Sequence, residues 1–538
     1  MTILRRLHLK SALERAKQMF AQLGKNKRYL NLLLASIALL FFIPVFLNVG
    51  PNKTASLMSL MHSDPSSARA PKHAPYPGIG PSRPDAPPPS LGHDRHHSPP
   101  PRFDPAGSPI QHSTEVVDFA YAEGAEDVML MVKTGATVLW KRLPIHFGTT
   151  FQQVPYYQVY SDMEETIFGH KVVDSLQNVS DTLKATEPFE LYRVQQELLS
   201  SHANTEPQDH YGINSGKLGW DLDKYKNIPM IQHAWSINPN AKWYIFMDAD
   251  SYVIWNQLLH YLRTLNYRHA LYLGSPVGNP PIQFGHGGSV VVISRGAMLR
   301  SWANDPELHL KYEQATIRRC CGDYMVAELL YEHGVQIAKS EHEYPYSKWK
   351  FQGEAPHFIY ANKENWCAPI MSFHHISPHD INKVHDFALR WSQNHAPNDY
   401  IRYVDVYHEF MHPWIEEEKD EWDNRSNDRE YSPDRPKALR DDAYESKEKC
   451  ISYCNAWDEC LGWRYSTNFC ALTKSVRLGR RKVRFGDDVF DESKRTISGW
   501  RIDRIRVIRA QSGCDPLAQD ELVEGINDSG IVPGLEVN

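Results

Sequence analysis

The chain has 538 residues, of which 41% are hydrophobic, and its formal net charge is -6. This length exceeds that of one compact domain, so at least two domains are expected. The mild negative charge excludes the strongly basic class of nucleic-acid-binding proteins, and we expect no nucleic-acid partner.

The N-terminus combines a basic tail with an uncharged apolar stretch. Residues 1–28 carry eight Lys and Arg side chains against one acid, Glu14, and residues 29–49 have no charge. As a helix, the second stretch would span roughly 30 Å, the thickness of a bilayer core. A cleaved signal peptide is the alternative, but its basic and apolar parts would be shorter. The charge asymmetry predicts a signal-anchor with a cytosolic N-terminus and the rest of the chain across the membrane.

Residues 50–115 are predicted to be a disordered stem. They contain Pro87-Pro88-Pro89 and Pro99-Pro100-Pro101 among polar residues, with too few apolar side chains for a core. Beyond the anchor, the chain would face a compartment in which disulfides form and asparagines are glycosylated. The glycosylation sites expected there are Asn178, Asn424 and Asn527.

From residue 116 onwards, apolar runs and helical patterns alternate. Such alternation predicts an α/β domain over 116–412, with a mostly parallel sheet and helices on both faces. The predicted strands are 128–132, 156–160, 242–247, 271–273 and 289–293. The predicted helices are 221–236, a helix that contains Leu258, Leu259 and Leu262, and 325–333.

Two carboxylates directly follow the apolar strand 242–247. In an open α/β sheet, ligands bind beyond the carboxyl ends of the strands. Asp248 and Asp250 are two residues apart and can face one site, where they would hold a hard divalent cation. Two alternatives exist: a turn, since aspartate is common in turns, and a phosphatase-type nucleophile, which usually opens its domain.

Three later segments carry further candidate residues. Gly287, Gly288 and Ser289 precede a strand, and glycine permits close backbone approach. Asp323 stands at a helix start, where it would act either in chemistry or as an N-cap. His374 and His375 end an apolar run, where an imidazole is either structural or a metal ligand.

These segments, in this order, resemble glycosyltransferase family 31, which contains the core-1 β1,3-galactosyltransferases and Fringe. The resemblance covers residues 125–412 and rests on four motifs. They are Trp243-Tyr244-Ile245-Phe246-Met247-Asp248-Ala249-Asp250-Ser251, Gly287-Gly288-Ser289-Val290, Gly322-Asp323 and Ser372-Phe373-His374. The segment Asp223-Lys224-Tyr225-Lys226 resembles the lysine-bearing helix that precedes the metal segment. Two residues depart from the family pattern, Gly322 in place of an acid and Val290 in place of a glycine.

The resemblance implies a GT-A fold and an inverting, Mn²⁺-dependent reaction with a UDP-sugar. Asp250 would hold the metal with Asp248 and His374, or with His375 as the alternative histidine. Asp323 would be the general base that takes the acceptor proton. The remaining implied residues are those that bind the donor, Lys133, Thr134, Asp162, Lys224 and Ala249, and those that line the acceptor and donor-sugar cleft, Gly287, Gly288 and Ser289.

A cysteine-rich module is predicted over 436–514, after an acidic linker over 413–435 and before a tail over 515–538. Its four spaced cysteines allow three pairings. The segment from Cys450 to Leu472 resembles PAN/apple domains, which favours the pairs Cys450–Cys470 and Cys454–Cys460. A further pair, Cys321–Cys367, is expected within the α/β domain.

The anchor and the resemblance together predict a single-pass type II enzyme of the Golgi membrane. The resemblance implies transfer of a hexose or N-acetylhexosamine, galactose being favoured, from a UDP-sugar to a glycan or glycoprotein, in β1,3 linkage. The alternative is a catalytically degenerate membrane-tethered protein that binds carbohydrate or protein through its PAN-like module.

Overall fold

The computed structural model describes residues 121–200, 215–338, 351, 354–434, 441–486, 488, 491–515 and 517–518. The predicted tail, anchor and stem (1–115), Asn527 and most of the predicted C-terminal tail lie outside these ranges. Of two units of the chain, 1–112 and 113–538, the second contains every described residue. Within the described ranges, no helix has both the length and the apolar character that crossing a membrane requires.

The strands fall into two groups along the chain. The first group is β1 Val128–Lys133, β2 Tyr157–Ser161, β3 Glu165–Ile167, β4 His170–Asp174, β5 Trp243–Asp248, β6 Tyr252–Val253, β7 Tyr272–Leu273, β8 Pro276–Val277, β9 Phe284–Gly285, β10 Val291–Ser294 and β11 Ser372–Phe373. The second group is β12 Glu418–Asp420, β13 Trp422–Asp423, β14 Arg429–Tyr431, β15 Gly462–Ser466, β16 Phe469–Thr473, β17 Arg480–Arg481 and β18 Thr496–Trp500.

The α-helices occur in the same two parts of the chain as these two groups of strands. They are α1 Leu139–Arg142, α2 Pro144–Phe147, α3 Asp181–Lys184, α4 Glu190–Ser200, α5 Ser215–Asp223, α6 Asn227–Ile237, α7 Trp255–Arg263, α8 Arg295–Arg300, α9 Leu308–Arg318, α10 Gly322–Glu332, α11 Pro378–Asn394, α12 Tyr403–Phe410, α13 Lys447–Ala456 and α14 Ile502–Ser512.

The main sheet has seven strands in the order β3-β4-β2-β1-β5-β10-β7. Its centre, β4-β2-β1-β5, is parallel, whereas β3, β10 and β7 join in antiparallel orientation. The parallel centre agrees with the predicted mostly parallel sheet, and the antiparallel strands at the two edges add a feature that the sequence did not predict. A parallel-rich sheet of this kind fits the GT-A-like domain that the resemblance implies.

The central strands are buried on both faces, which explains their continuous apolar sequence. All six residues of β1 are buried, and β5 is buried from Trp243 to Met247. Along β1, Leu130 packs into one hydrophobic core and Met131 into the other. A buried strand ends at the first charged side chain that needs solvent or a partner, and in β5 this residue is Asp248.

Two predicted elements differ from the structure near the sheet. The predicted helix 221–236 is two helices, α5 and α6, which are separated at residues 224–226. Pro229 is the third residue of α6, a first-turn position where its missing amide leaves no helical hydrogen bond unmade. The predicted strand 289–293 starts later, at Val291, because residues 287–289 form a 3₁₀ turn.

The C-terminal region, from β12 to Asp515, contains a five-stranded antiparallel sheet in the order β12-β18-β15-β16-β14. Helix α13 is joined to this region by two disulfides, Cys450–Cys470 and Cys454–Cys460, as predicted. The segment predicted as a linker, 413–435, instead supplies both edge strands of this sheet, β12 and β14. Its acidic residues suit an edge strand, since Glu418 and Asp420 of β12 are exposed.

The remaining cysteines pair differently from the expectation. Cys367 is bonded to Cys514 rather than to Cys321, and Cys321 is bonded to its neighbour Cys320. The Cys367–Cys514 bond links the α/β region to the end of α14. Residues from both regions also share one hydrophobic core, with Trp366 and Tyr407 on one side and Trp500 on the other. The C-terminal region is therefore packed against the α/β region and is not connected to it by a flexible linker alone.

The two described sequon asparagines differ in accessibility. Asn178 is exposed, which agrees with its prediction as a glycosylation site. Asn424 is fully buried, and its Nδ2 donates to the carbonyls of Trp463 and Gly499. A glycan is attached through that nitrogen, so the folded structure leaves Asn424 no room for one and contradicts this assignment.

Candidate functional site

The candidate site lies at the carboxyl ends of β1 and β5, which are neighbours in the sheet. Lys133 ends β1 and is in register with Asp248, which ends β5. The Lys133 Nζ lies 2.5 Å from Asp223 Oδ2 and 3.3 Å from Asp248 Oδ1. Burial opposes the charge of Lys133, but Asp223, Asp248 and Asp323 hold its pKa above the ordinary value. One buried cation thus neutralises part of an acidic cluster.

Two carboxylates and two imidazoles meet around one small volume. The Nε2 atom of His374 is 4.0 Å from Asp248 Oδ2 and 3.8 Å from Asp250 Oδ1, and His375 Nδ1 is 3.7 Å from Asp250 Oδ2. These separations exceed hydrogen-bond distance and leave space between the atoms. Asp250, His374 and His375 each offer a ligand atom, and these atoms lie within 4.8 Å of one another.

The protonation states in this cluster suit a cation. Burial, with the charges of Asp223 and Asp250, raises the pKa of Asp248 to about 6. Burial also acts on Asp250, but His375 and Arg142 outweigh it and lower its pKa to about 2. Burial lowers the pKa of His374 to about 3. At neutral pH the site therefore presents ionised carboxylates and a neutral imidazole.

This set of donors fits a divalent metal such as Mn²⁺, for which carboxylate and imidazole are suitable ligands. Asp248 Oδ1 is buried 3.3 Å from the Lys133 ammonium but accepts no well-aligned hydrogen bond from the described residues, which leaves lone pairs available to an ion. Asp248, Asp250 and His374 would hold the ion, and His375 lies close enough to replace His374 or to join it.

The 3₁₀ turn Gly287–Ser289, called the glycine turn below, makes room for His374. A Cβ atom at Gly288 would lie 2.1 Å from His374 Nε2, so a larger residue at this position displaces the imidazole. Ser251 Oγ donates to the Gly288 carbonyl at 2.6 Å, and Ser372 Oγ donates to the Ser289 carbonyl at 2.8 Å. The residue that ends the turn, Val290, has a φ of +76°, the conformation for which a glycine is usual. The predicted cleft residues thus form one turn, which is fixed by hydroxyls from both sides.

Asp323 is the second residue of α10 and does not cap it, because the N-cap position belongs to Cys321. Its Oδ2 accepts a hydrogen bond from the Gly287 amide at 2.8 Å. The carboxylate therefore faces the glycine turn and leaves its own helix without a side-chain cap. The capping alternative that the sequence left open is not what the structure shows.

Three of the predicted donor-binding residues line the same end of the sheet. Thr134 is buried, and its Oγ1 has no hydrogen-bond partner among the described residues. Asp162 Oδ1 accepts from the Ala136 amide at 2.7 Å. The Ala249 carbonyl is hydrogen-bonded to His146 Nε2 at 2.9 Å. Together with Lys133, these groups form a polar floor next to Asp248.

Lys224 does not point into this floor. Its Nζ donates to the carbonyls of Ile317 and Arg319, at the C-terminal end of α9. Lys226 takes the place that was expected for Lys224, since its buried Nζ donates to the Thr134 carbonyl at 2.9 Å and lies 3.5 Å from Asp162 Oδ2. The α5–α6 break decides between the two lysines, because it turns residue 226 inwards.

Sequence reasoning also missed two side chains that contact the metal segment from α1 and α2. Arg142 NH2 lies 3.2 Å from Asp250 Oδ2. His146 is fully buried between Thr150 Oγ1 and the Ala249 carbonyl, and burial lowers its pKa to about 4. Neither residue lies in a recognisable pattern, and only the packing of α1 and α2 against the end of β5 brings them to the site.

Comparison with known protein families gives a match over part of the chain, and the matched part contains most of the candidate site. No match was found when the chain was compared with curated proteins. A family model described as Fringe-like matches residues 123–342, a range that includes Lys133, Asp248, Asp250, the glycine turn and Asp323. The match ends before His374 and before the C-terminal region, for which the PAN/apple resemblance stays a prediction. Residues 123–342 are thus similar to the Fringe-like family, which indicates a glycosyltransferase.

Proposed function

We propose that this protein is a metal-dependent, inverting glycosyltransferase that uses a UDP-sugar. One observation carries the proposal: ionised Asp248 and Asp250 and neutral His374 surround one volume, and a separate carboxylate, Asp323, lies across the glycine turn from them. A cation-binding group and a distinct base are the two elements that direct displacement at a sugar–diphosphate carbon requires.

In the proposed reaction, the acceptor hydroxyl attacks the anomeric carbon of the donor sugar. The new bond joins the acceptor oxygen to that carbon, while the bond from the carbon to the diphosphate oxygen breaks and UDP leaves. Asp323 takes the hydroxyl proton as the new bond forms. The hydrogen bond from the Gly287 amide holds its carboxylate in place, and no enzyme nucleophile is needed.

The donor would occupy the polar floor at the ends of β1 and β5. A bound Mn²⁺ supplies Lewis-acid stabilisation of the departing diphosphate. Lys133 and Lys226 would add positive charge near the bound diphosphate, and Arg142 would face the diphosphate from α1. Thr134 and Asp162 offer polar atoms to the uridine. The glycine turn leaves room for the sugar between His374 and Asp323.

The finer assignments are proposals as well. We infer galactose as the donor sugar and a β1,3 linkage to a glycan or glycoprotein acceptor, on the basis of the family resemblance. The basic tail and the apolar stretch 29–49 support a type II anchor in the Golgi membrane, with the described region luminal.

The function is tested with the full-length chain purified in detergent. A panel of UDP-sugars is incubated with and without Mn²⁺ and an acceptor library, and UDP release and product are quantified. We expect product with one donor and only with the divalent metal. Asp250→Asn should abolish Mn²⁺-dependent UDP binding in calorimetry with little change in the melting temperature, because Asp250 lies beyond the carboxyl end of β5 and outside the hydrophobic core.

Lys224→Met is the matched control, since that lysine points away from the site. UDP affinity that does not depend on Mn²⁺ in the wild type would argue against the metal role. Absence of UDP binding altogether would favour the degenerate, binding-only alternative.

The topology is tested separately in sealed microsomes. Added protease should digest only the N-terminal tail, and Asn178 should carry a glycan. Digestion of the α/β region in intact vesicles would refute the type II anchor without touching the catalytic proposal.

A further inference from the structure

The candidate site contains one further histidine, His286, to which neither the metal nor the proton transfer assigns a role. It follows β9 and directly precedes the glycine turn. Its amide donates to the Ser275 carbonyl at 2.9 Å, and its carbonyl accepts from the Ser289 amide at 3.0 Å. The backbone of His286 is therefore held on both sides, which restricts the directions open to its side chain.

His286 lies where the two halves of the candidate site meet. Its ring centroid is 5.2 Å from that of His374, the imidazole assigned to the metal. The peptide that joins His286 to Gly287 carries the amide that donates to Asp323 Oδ2 at 2.8 Å. One short stretch of chain thus adjoins both the metal-binding group and the proposed base.

His286 is not placed as a metal ligand. Among the described residues, the ligand atoms that lie within 4.8 Å of one another belong to Asp250, His374 and His375. The Nδ1 atom of His286 is instead hydrogen-bonded to Ser289 Oγ at 3.0 Å. This hydrogen bond sets the orientation of the ring, because it fixes one of the two ring nitrogens.

The second ring nitrogen of His286 is available to a ligand. No residue of the described ranges forms a hydrogen bond with Nε2, and the side chain is only partly buried. Nε2 is also not one of the enclosed polar atoms that lack a partner, so it reaches open space. An imidazole nitrogen either donates or accepts a hydrogen bond, and a sugar hydroxyl can pair with it in both cases.

The geometry of the displacement brings the donor sugar to the glycine turn. In the proposed reaction the diphosphate leaves on the metal side, at His374, and the acceptor hydroxyl gives its proton to Asp323, so the attacked carbon lies between them. A Cβ atom at Gly288 would lie 2.1 Å from His374 Nε2, and one at Gly287 would lie 3.3 Å from Asp323 Oδ2. The two groups therefore flank consecutive residues of the turn, and the sugar ring would lie beside His286.

We propose that His286 is a specificity-determining residue of the donor subsite, whose Nε2 forms a hydrogen bond with one hydroxyl of the donor sugar. Ser289 acts through His286, as a positioning residue that holds the ring in this orientation. The inference rests on the proposed function, because it concerns the sugar of the same UDP-sugar. It predicts that the protein distinguishes donors by the presence of that hydroxyl.

The test combines a variant with altered ligands in a thermodynamic cycle. Full-length protein in detergent with Mn²⁺ is titrated in calorimetry with UDP, UDP-galactose and the monodeoxy analogues of UDP-galactose. In the wild type, removal of one particular hydroxyl should weaken binding about fivefold, the size of one neutral hydrogen bond. His286→Phe, which keeps a flat ring beside His374, should weaken UDP-galactose binding by the same factor and leave UDP binding unchanged. The variant should bind that deoxy analogue as tightly as the wild type does, because the hydrogen bond is already absent.

Further variants separate recognition from packing. His286→Gln, whose amide reaches about as far as Nε2, should restore most of the affinity for UDP-galactose. His269→Phe, at an exposed histidine before β7, is the control that should leave every affinity unchanged. If His286→Phe melts earlier than the wild type, Ser289→Ala takes its place. It removes only the oxygen that holds the ring, and it should weaken the binding of UDP-galactose but not of UDP.

The inference is overturned if folded His286→Phe binds UDP-galactose and its deoxy analogues as the wild type does, and the proposed function then stands. Loss of UDP or Mn²⁺ affinity in His286→Phe would also overturn it, because His286 would then belong to the metal-binding group. If the donor panel selects another hexose, that UDP-sugar and its deoxy analogues are used. Absence of Mn²⁺-dependent binding of any UDP-sugar by the wild type would refute the proposed function, on which this contact depends.

Discussion

The α/β region and the C-terminal region use buried charges in opposite ways. At the ends of β1 and β5, Asp248 and Asp250 each have one basic neighbour, Lys133 at 3.3 Å and Arg142 at 3.2 Å, while His374 stays beyond hydrogen-bond distance of both, at 4.0 and 3.8 Å. In the C-terminal region, Asp515 is fully paired, with Arg509 Nε at 2.8 Å and His408 Nε2 at 2.9 Å. The first arrangement leaves room for ligands, and the second leaves none.

This difference suggests that the site carboxylates serve function, whereas the ion pair of Asp515 serves stability. Burial, and after it the neighbouring carboxylates Asp223 and Asp250, disfavour the charge of Asp248 in the ligand-free protein and raise its pKa. A paired buried carboxylate stabilises the fold only while both partners are present. Substitutions in the cleft should therefore change chemistry more than folding, and substitutions around Asp515 should change folding more than chemistry.

The largest effect is expected at Asp323. Asp323→Asn keeps an oxygen for the Gly287 amide but cannot accept the acceptor proton. We expect kcat to fall by on the order of 10²–10⁴ with UDP affinity retained, measured by steady-state kinetics and calorimetry. A variant that keeps most of its transferase activity would show that the base lies elsewhere.

The next effect concerns stability. Asp515→Asn should lower the free energy of unfolding by about 3 kcal/mol, because it removes the carboxylate charge that pairs with buried Arg509 and with His408. Chemical denaturation measures the loss. The control is Asp503→Asn, which breaks the more exposed pair with Arg501 and should cost less than about 1 kcal/mol. Equal losses in the two variants would contradict the distinction between buried and exposed pairs.

The same carboxylate predicts a pH dependence. Burial alone would raise the pKa of Asp515, but His408 and Arg509 lower it from 3.8 to about 2. A lowered folded-state pKa means that the stabilisation is complete above about pH 4 and is lost as the pH falls towards 2. Wild type and Asp515→Asn should therefore converge in stability across this window. A constant difference down to pH 2 would refute the assignment.

A smaller effect is expected from the two disulfides of the C-terminal region. Cys450 and Cys470 are 20 residues apart, and Cys454 and Cys460 are 6 apart. By loop entropy, replacement of each pair by alanine should cost about 3 and about 2 kcal/mol respectively. Thermal unfolding measures the order of the two losses, and kcat below the melting temperature should be unchanged. A fall in kcat would show that this region takes part in the chemistry.

The smallest effect is expected at the glycine turn. Gly288→Ala should push His374 away from the carboxylates and weaken Mn²⁺ binding about tenfold, a loss typical of a disturbed ligand shell. Electron paramagnetic resonance of free Mn²⁺ measures this without any activity assay. The matched control is Gly219→Ala in α5, where the new methyl group meets its nearest atom at 3.8 Å. Unchanged Mn²⁺ affinity in Gly288→Ala would exclude His374 from the site.

Much of the α/β region could be predicted from local patterns. The strands that carry Lys133 and Asp248 are continuous apolar runs, and such runs signal their own burial. The prediction failed where the cause was not local. The predicted linker 413–435 supplies edge strands because partners far along the chain, β16 and β18, pair with it. Lys226, rather than the predicted Lys224, reaches the site because the break between α5 and α6 reorients this segment.

The sequence by itself determined the pieces of this protein that depend on neighbouring residues, the carboxylates at the end of β5 and the glycine turn, whereas the cysteine pairs of the C-terminal region were implied by the resemblance to PAN/apple domains. Only the tertiary structure decided what meets across long separations. It brought Arg142 to Asp250, Asp323 to Gly287 and Cys514 to Cys367. The physical reason is that short-range propensities record local conformation, whereas packing between distant segments depends on the shape of the whole core.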